Sequence, residues 1–326
     1  MPVGFARRDF LAGMAAVTVA TSTSRLSAFP DSASPFRISV INDEISQDFG
    51  HACEVASREF GMGWIELRSM WKKNIVNLDE KEVAEARRIL QKFELKVTDI
   101  ASPLFKVDWP GAPKSKFGSE GGFQADFTYQ QQDEVLERAL EMAKAFQTDR
   151  VRCFDFWRLE NQEPYRAAIN ERLLQAAEKT GSKGMMLIVE NEPSCNTATG
   201  AEAAKLLEAV KSPHLMLNWD PGNAATLGET PYPDGYRMLP KERIGHCHCK
   251  DAVKKGNKYD WAPMGGGIVD WAGQFRALKR DGYTFAVSLE THWRGGGSAE
   301  QSSRKSWAGM KQLLQEAGAL QLPEHA

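Results

Sequence analysis

The sequence predicts a single-domain α/β fold, a (β/α)8 barrel, from three observations. Eight short apolar runs alternate with segments of helical periodicity, a pattern typical of parallel strands joined by helical crossovers. The chain has 326 residues, 42% of them hydrophobic, which suits one large domain or two smaller ones. No glycine-rich turn follows the first run, whereas an open dinucleotide-binding sheet would place one there. Eight strand and helix units therefore favour a closed barrel over an open sheet.

The elements follow one another in order from Phe36. The predicted strands comprise residues 38–46, 64–69, 95–102, 150–157, 185–190, 215–220, 244–250 and 284–290. The predicted helices comprise residues 47–61, 79–94, 131–146, 164–180, 201–210, 270–282 and 299–317, with a short segment near Tyr236. Asp79 is a candidate N-cap residue. Residues 103–128 are polar, rich in glycine and too long for a simple turn, so we expect them to arch over a site.

The first 30 residues, 1–30, form a separate segment. Arg7 and Arg8 are followed by Asp-Phe-Leu, residues 11–24 carry no charge, and residues 26–28 offer a small-residue cleavage site. This pattern resembles a twin-arginine export signal, so we expect a periplasmic or otherwise exported protein. A disordered tail and a Sec signal are the alternatives. The uncharged stretch is too short and too rich in Ala, Thr and Ser for stable membrane insertion.

Cysteine spacing does not predict a disulfide framework. The chain has five cysteines without regular spacing. Two of them, Cys247 and Cys249, alternate with His246 and His248, which suggests a zinc knuckle. Alternate residues of a strand face opposite sides, however, so the two histidines share one face and the two cysteines the other. We therefore expect Cys247 and Cys249 to pack as small apolar residues beneath the helices.

Four of the predicted strands end on side chains that can bind a metal. They supply Glu190, Asp220, His248 and Glu290. Because the carboxyl ends of barrel strands meet on one rim, these side chains are expected to form one cluster. Such a mixed oxygen and nitrogen set suits one divalent metal ion, Mn, Mg, Co or Zn, whereas a soft site would use thiolates.

The sequence resembles the sugar phosphate isomerase/epimerase superfamily of xylose isomerase-like TIM barrels, also called AP endonuclease 2-like. The resemblance covers a domain at 36–320 and depends on the motifs DEIS, VENEP, WDPGN, HCHCKD, GGGIVDW and SLE. It implies that Glu190, Asp220, His248 and Glu290 are the metal ligands. It also implies that Glu190 and Glu290 are the catalytic acid and base, and that His246 lies one layer deeper as a core or supporting group.

Six further residues are candidates for substrate binding. Glu44, Glu66 and Arg68 end the first two strands, Lys250 and His292 share the inward parity of His248 and Glu290, and Asn223 follows Asp220. Solvated loop charges and salt bridges at the rim are the alternative for this set. Asn223 stands where ketose epimerases of the resembling family often carry a histidine, which leaves the substrate open.

The resemblance implies a divalent-metal-dependent sugar isomerase or epimerase that acts through an enediolate on an unphosphorylated ketose or keto-sugar. A lyase or dehydratase of a keto-sugar or inosose on the same site and a non-catalytic sugar-binding barrel are the alternatives. A nuclease is disfavoured because the chain has only six histidines and a net charge of −2. The expected partner is a small carbohydrate, with no nucleic acid and no membrane, and a homo-oligomer is left open.

Overall fold

Eight parallel strands form the centre of the computed structural model, which describes residues 33–118 and 127–321. The predicted signal segment, 1–30, lies outside the described residues. The barrel strands are β1 Arg37–Val40, β2 Trp64–Leu67, β3 Lys96–Leu104, β4 Arg150–Cys153, β5 Met186–Glu190, β6 Leu215–Trp219, β7 Ile244–Cys249 and β8 Ala286–Leu289.

The strands pair in sequence order around the barrel. Each strand from β2 to β7 pairs in parallel with the strand that follows it in sequence, and β8 pairs in parallel with β1. Between β1 and β2 the contact is a single parallel bridge that joins Ile41 and Glu66. The sheet is thus a nearly closed barrel, and the predicted (β/α)8 TIM barrel of one domain is confirmed.

Helices alternate with these strands as predicted. They are α1 Phe49–Glu54, α2 Glu80–Lys92, α3 Gln132–Ala145, α4 Glu163–Gly181, α5 Gly200–Ala209, α6 Pro221–Thr226, α7 Tyr236–Met238, α8 Trp271–Arg280 and α9 Ala299–Glu316. In the part of the chain that the structure describes, none of the helices is long and apolar enough to cross a bilayer.

Local sequence explains where these helices begin. The Asp79 carboxylate accepts hydrogen bonds from the backbone N–H groups of Lys81 and Glu82, and the Glu82 carboxylate accepts one from Asp79 N. This reciprocal capping box starts α2 at the predicted residue. The helix then buries Ala86 and Leu90 against the barrel, as its helical spacing requires.

Several elements differ from the prediction. β1 ends at Val40 rather than at residue 46, and a short 3-10 helix, Asn42–Glu44, follows it. β4 ends at Cys153 rather than at residue 157, and Phe156 beyond it has a positive φ of 69°. β3 runs on to Leu104, which pairs with Cys153 after an irregular register. An antiparallel hairpin, Asp251–Lys255 with Lys258–Ala262, follows β7 and was not predicted. Its Gly-Asn turn is a hairpin signal, and Gly256 has a φ of 61°.

The five cysteines are all free and buried, so the expectation that they form no disulfide framework is confirmed. Cys247 and Cys249 belong to the hydrophobic core, whereas His246 and His248 take part in a buried polar cluster. The alternation along β7 is the reason, because a strand sends neighbouring side chains to opposite faces.

Candidate metal and substrate site

Four side chains meet at the carboxyl ends of β5 to β8. Glu190 is the last residue of β5, Asp220 directly follows β6, His248 lies in β7, and Glu290 directly follows β8. Each offers one ligand atom, and these atoms all lie within 4.8 Å of one another. All four residues are buried. The structure therefore brings together the four residues predicted to bind the metal.

His248 is oriented toward the three carboxylates. Its Nδ1 lies 3.3 Å from Glu190 Oε1 and 3.3 Å from Glu290 Oε2. Its Nε2 lies 3.0 Å from Glu66 Oε1 on the opposite side of the ring. Burial lowers the pKa of His248, but the surrounding glutamates outweigh it and raise the pKa, and a carboxylate at Nε2 favours a proton there. A metal ion would therefore displace the proton at Nδ1, the nitrogen that faces the cluster.

The residues present fit a divalent cation. Within the described ranges, the buried Nδ1 of His248 makes no hydrogen bond of good geometry. Burial, together with the charges of Glu290 and Glu190, raises the pKa of Asp220 to about 7 although Lys250 and His248 oppose this. Burial is the main cause of this raised pKa, and the two neighbouring carboxylates add to it. Three buried carboxylates and an imidazole are ligands for Mn, Mg, Co or Zn, and a bound ion would favour the ionised form of Asp220.

Positive side chains hold two of the carboxylates ionised. Burial raises the pKa of Glu190, but the charges of His248 and Arg152 outweigh it, so that the pKa falls to about 2. Arg152 Nη1 lies 3.0 Å from Glu190 Oε2. Burial likewise opposes ionisation of Glu290, and Lys250, His292 and His248 together hold its pKa well below the usual range.

Lys250 contacts the cluster directly. Its Nζ lies 2.5 Å from Glu290 Oε2 and 2.9 Å from Asp220 Oδ2. The side chain is 2% exposed. The ammonium therefore stabilises two of the predicted metal ligands, and its predicted contact with substrate stays a prediction.

Arg68 and Glu44 form a second layer of ion pairs beside Glu290. Arg68 donates from Nη1 to Glu290 Oε1 at 2.9 Å and from Nη2 to Glu44 Oε1 at 2.7 Å. Glu44 also accepts from Arg294 Nη2 at 2.8 Å. His292 Nε2 lies 3.2 Å from Glu290 Oε1. These predicted substrate contacts thus reach the same end of the barrel, where they pair with one another and with Glu290.

The remaining predicted residues lie beneath or beside the cluster. Glu66 is fully buried, and its Oε2 lies 3.1 Å from His246 Nε2, one layer below His248. Asn223 donates from Nδ2 to the backbone oxygen of Asn191 at 2.8 Å, and the same nitrogen lies 3.3 Å from Glu190 Oε1. Glu66 and Asn223 therefore contact predicted metal ligands, while a role in binding substrate stays a prediction for both.

Sequence reasoning missed Arg152, Arg294 and Lys106, which also surround the site. Arg152 occupies β4, and its position inside a short apolar strand was the available signal, because a buried charge needs a partner. Arg294 and Lys106 lie in loops, where the sequence offers no such signal.

A small cavity of about 100 Å³ opens beside Glu190 and Glu290. Its other lining residues are mostly polar and charged, with a few apolar groups: Asp43, Arg68, Ser69, Asn74, Pro103, Lys106, Phe127, Arg152, Phe154, Glu192 and His292. The candidate acid and base therefore face a space that a small polar molecule can enter.

Known proteins share this fold. The sequence pattern of the xylose isomerase-like TIM barrel family matches residues 55–313. A probable 3-DHS dehydratase, AsbF, involved in petrobactin synthesis in Bacillus anthracis, has a TM-score of 0.64 at 20% identity, over 85% of this chain and 98% of that one. The IOLI protein with a bound zinc atom has a TM-score of 0.66 at 15% identity, over 88% of this chain and 100% of that one.

A D-allulose 3-epimerase from Methylomonas sp. has a TM-score of 0.62 at 17% identity, over 89% of this chain and 99% of that one. No curated protein sequence matches significantly. The solved structures show the fold alone at these identities. Because the family pattern covers most of the chain, this protein belongs to the xylose isomerase-like TIM barrel family.

Proposed function

We propose that this protein is a divalent-metal-dependent isomerase or epimerase of an unphosphorylated ketose or keto-sugar. The reaction would move a proton beside the carbonyl carbon through an enediolate. The observation that carries the proposal is the cluster of Glu190, Asp220, His248 and Glu290, whose ligand atoms lie within 4.8 Å of one another beside a polar cavity.

The chain's own residues suit proton transfer. Glu190 and Glu290 each have a carboxylate oxygen 3.3 Å from His248 Nδ1, and both residues line the cavity, so each can reach a bound substrate. Both carboxylates are ionised at neutral pH, which is the form that accepts a proton. Arg68 and Lys250 contact different oxygens of Glu290 and thereby hold the plane of its carboxylate. A bound divalent ion would supply positive charge for the substrate oxygens on which negative charge develops.

Metal content is the first test. Wild-type protein should bind about one Mn, Co, Mg or Zn ion per chain, and His248→Ala should lose it because the imidazole is a ligand. His214→Ala serves as the control, since His214 precedes β6 at the other end of the barrel. If no metal binds even after reconstitution, the proposed isomerase or epimerase and the alternative lyase are both wrong. A non-catalytic sugar-binding barrel then becomes the better hypothesis.

Proton exchange tests the chemistry. Metal-loaded protein in D2O should introduce deuterium beside the carbonyl of its ketose, as followed by NMR, and Glu190→Gln and Glu290→Gln should abolish the exchange while they keep the fold. A product with the same composition as the substrate identifies an isomerase or epimerase. Loss of water identifies the lyase instead, and full exchange in Glu290→Gln would contradict the role given to that residue.

We also propose that residues 1–30 direct export through the twin-arginine route, on the support of the Arg7 and Arg8 pair and the uncharged stretch after it. Replacing both arginines by lysine should leave the protein in the cytoplasm, as measured by cell fractionation. Periplasmic protein in that variant would contradict the proposal.

A further inference from the structure

We propose that the substrate carries a carboxylate, and that the ammonium group of Lys106 binds it in the cavity that Glu190 and Glu290 also line. The substrate class is then a keto-sugar acid rather than a neutral sugar. This inference rests on the proposed function, because it concerns the substrate of the same site.

The chain places Lys106 at the cavity by a sharp turn after β3. Phe105 has a positive φ of 65°, and its backbone N–H donates to Gln132 Oε1 at 2.7 Å. Lys106 N–H then donates to the backbone oxygen of Pro103 at 3.0 Å. A non-glycine residue in this conformation is uncommon and has to be held by its surroundings. The turn thus directs Lys106 into the cavity that Glu190 and Glu290 also line.

The ammonium of Lys106 retains donors that its neighbours do not use. Its nearest carboxylate oxygen is Oε2 of Glu192, at 3.6 Å, which is beyond hydrogen-bond distance. Rings cover other directions, with the Phe154 centroid at 4.5 Å and the Trp157 centroid at 5.6 Å. Within residues 33–118 and 127–321, the structure contains no hydrogen bond from this ammonium group. The side chain is 15% exposed, so the donors point into a confined space rather than bulk water.

The two arginines that line the same cavity are already bonded to the protein. Arg68 donates to Glu290 and Glu44, as described above, and also from Nε to Asp43 Oδ1 at 2.9 Å. Arg152 donates to Glu190 and to the backbone oxygen of Ala101 at 3.1 Å. Among the lysine and arginine side chains that line this cavity in the described ranges, Lys106 therefore has the most capacity left for a ligand.

A carboxylate matches this environment better than a hydroxyl or a phosphate. The aromatic rings beside Lys106 lower the local dielectric constant, which strengthens its attraction for an anion. Glu192 lies on the same side and would repel a dianionic phosphate more strongly than a singly charged carboxylate. The cavity of about 100 Å³ also favours the smaller group.

The test compares sugars that differ only in the terminal group. Binding of D-fructuronate and D-fructose, and of D-tagaturonate and D-tagatose, is measured by calorimetry on the full-length protein loaded with Mn²⁺. At least one uronate should bind more tightly than its neutral partner. Lys106→Met should weaken the binding of that uronate by about 10- to 100-fold, which is the range expected for the loss of a charge-assisted hydrogen bond. Lys106→Arg should restore most of the preference, because the positive charge is kept.

Lys211→Met is the matched control, since it removes the same charge from an exposed position at the other end of the barrel, before β6. It should leave the preference for the uronate intact. The inference is overturned if neither uronate binds more tightly than its neutral partner. It is also overturned if Lys106→Met weakens the binding of both members of a pair equally, because Lys106 would then act only by positioning Glu192. Tighter binding of D-fructose 6-phosphate than of either uronate would also overturn it.

The same measurements separate this inference from the proposed function. If deuterium exchanges into neutral ketoses and no uronate binds more tightly than its neutral partner, the proposed isomerase function is supported and the proposal of a carboxylate substrate is contradicted. If a uronate binds and its binding depends on Lys106, but no deuterium exchange occurs beside the carbonyl, the proposal of a carboxylate substrate is supported and the proposal of an isomerase is contradicted.

Discussion

Glu66 links two buried histidines and sets the direction in which His248 faces. Its two oxygens lie 3.0 Å from His248 Nε2 and 3.1 Å from His246 Nε2. Burial raises the pKa of Glu66, but the two histidines outweigh it and hold the pKa well below the usual range. An ionised carboxylate at Nε2 makes Nδ1 the better electron donor, so we expect Glu66 to strengthen metal binding by His248.

Glu66→Gln should therefore weaken metal binding by about 10- to 100-fold, because the amide keeps the shape but loses the charge. Titration calorimetry with Mn²⁺ or Zn²⁺ measures the affinity, and circular dichroism checks the fold. Glu80→Gln makes the same change on the exposed surface of α2 and should have no effect. Equal affinity in Glu66→Gln and wild type would refute the orienting role.

Lys250 contacts two of the carboxylates that are predicted to bind the metal ion. Its ammonium contacts Asp220 and Glu290, and burial excludes water that could replace it. Without the lysine, two buried carboxylates would lose their nearest cation.

Lys250→Met should destabilise the metal-free protein by about 3–5 kcal/mol, since one partner of a buried ion pair is removed. It should also bind metal more tightly, because the ion no longer has to displace the ammonium. Urea unfolding with and without Mn²⁺ measures both effects. A variant that keeps wild-type stability when free of metal would show that Lys250 does not balance these charges.

Among the secondary-structure elements, the candidate site residues lie at the ends of strands, whereas the helices pack around the barrel and stabilise it. α2 shows this division, because its capping box is exposed and lies far from the ligands in sequence. Its amino end is stabilised by side-chain acceptors that satisfy otherwise unpaired backbone N–H groups.

Asp79→Ala should lower the free energy of unfolding by about 1 kcal/mol, the usual cost of losing an N-cap. Metal content should not change, because the cap makes no contact with the ligand cluster. Chemical denaturation measures the free energy of unfolding, and elemental analysis measures the metal content. Lys81→Ala, at the second residue of α2, is the control. A loss of bound metal in Asp79→Ala would contradict this separation of roles.

At the scale of the whole molecule, the candidate metal site depends on barrel formation. The four predicted ligands lie at the carboxyl ends of β5 to β8, and Arg68, directly after β2, reaches Glu290 across a sequence separation of 222 residues. The complete ligand set therefore exists only in the folded barrel.

A metal ion should consequently stabilise the fold. With free Mn²⁺ at about 100 times its Kd, the free energy of unfolding should rise by about 2.7 kcal/mol, and a chelator should reverse the gain. Thermal or urea unfolding measures the change. His248→Ala should show none of it. Equal stabilisation of that variant would place the bound ion elsewhere in the protein.

Much of the site was predictable because of where its residues lie in the strands. Glu190, Asp220, His248 and Glu290 end apolar runs, and His248 shares a face with His246 through strand alternation. The pairing of charges around them was not predictable. Lys250 and Glu66 were predicted to contact substrate, which stays a prediction, and the structure adds that both contact predicted metal ligands.

Local sequence was enough to predict the alternation of strands and helices, the barrel, and four candidate ligands at successive strand ends. The physical reason is that periodicity and strand parity are local properties, which short stretches of chain encode. The contacts between charges, such as Arg68 with Glu290 and Glu66 with His248, could be found only from the folded chain. Those contacts depend on how the barrel closes, and closure brings together residues whose separation in sequence carries no signal.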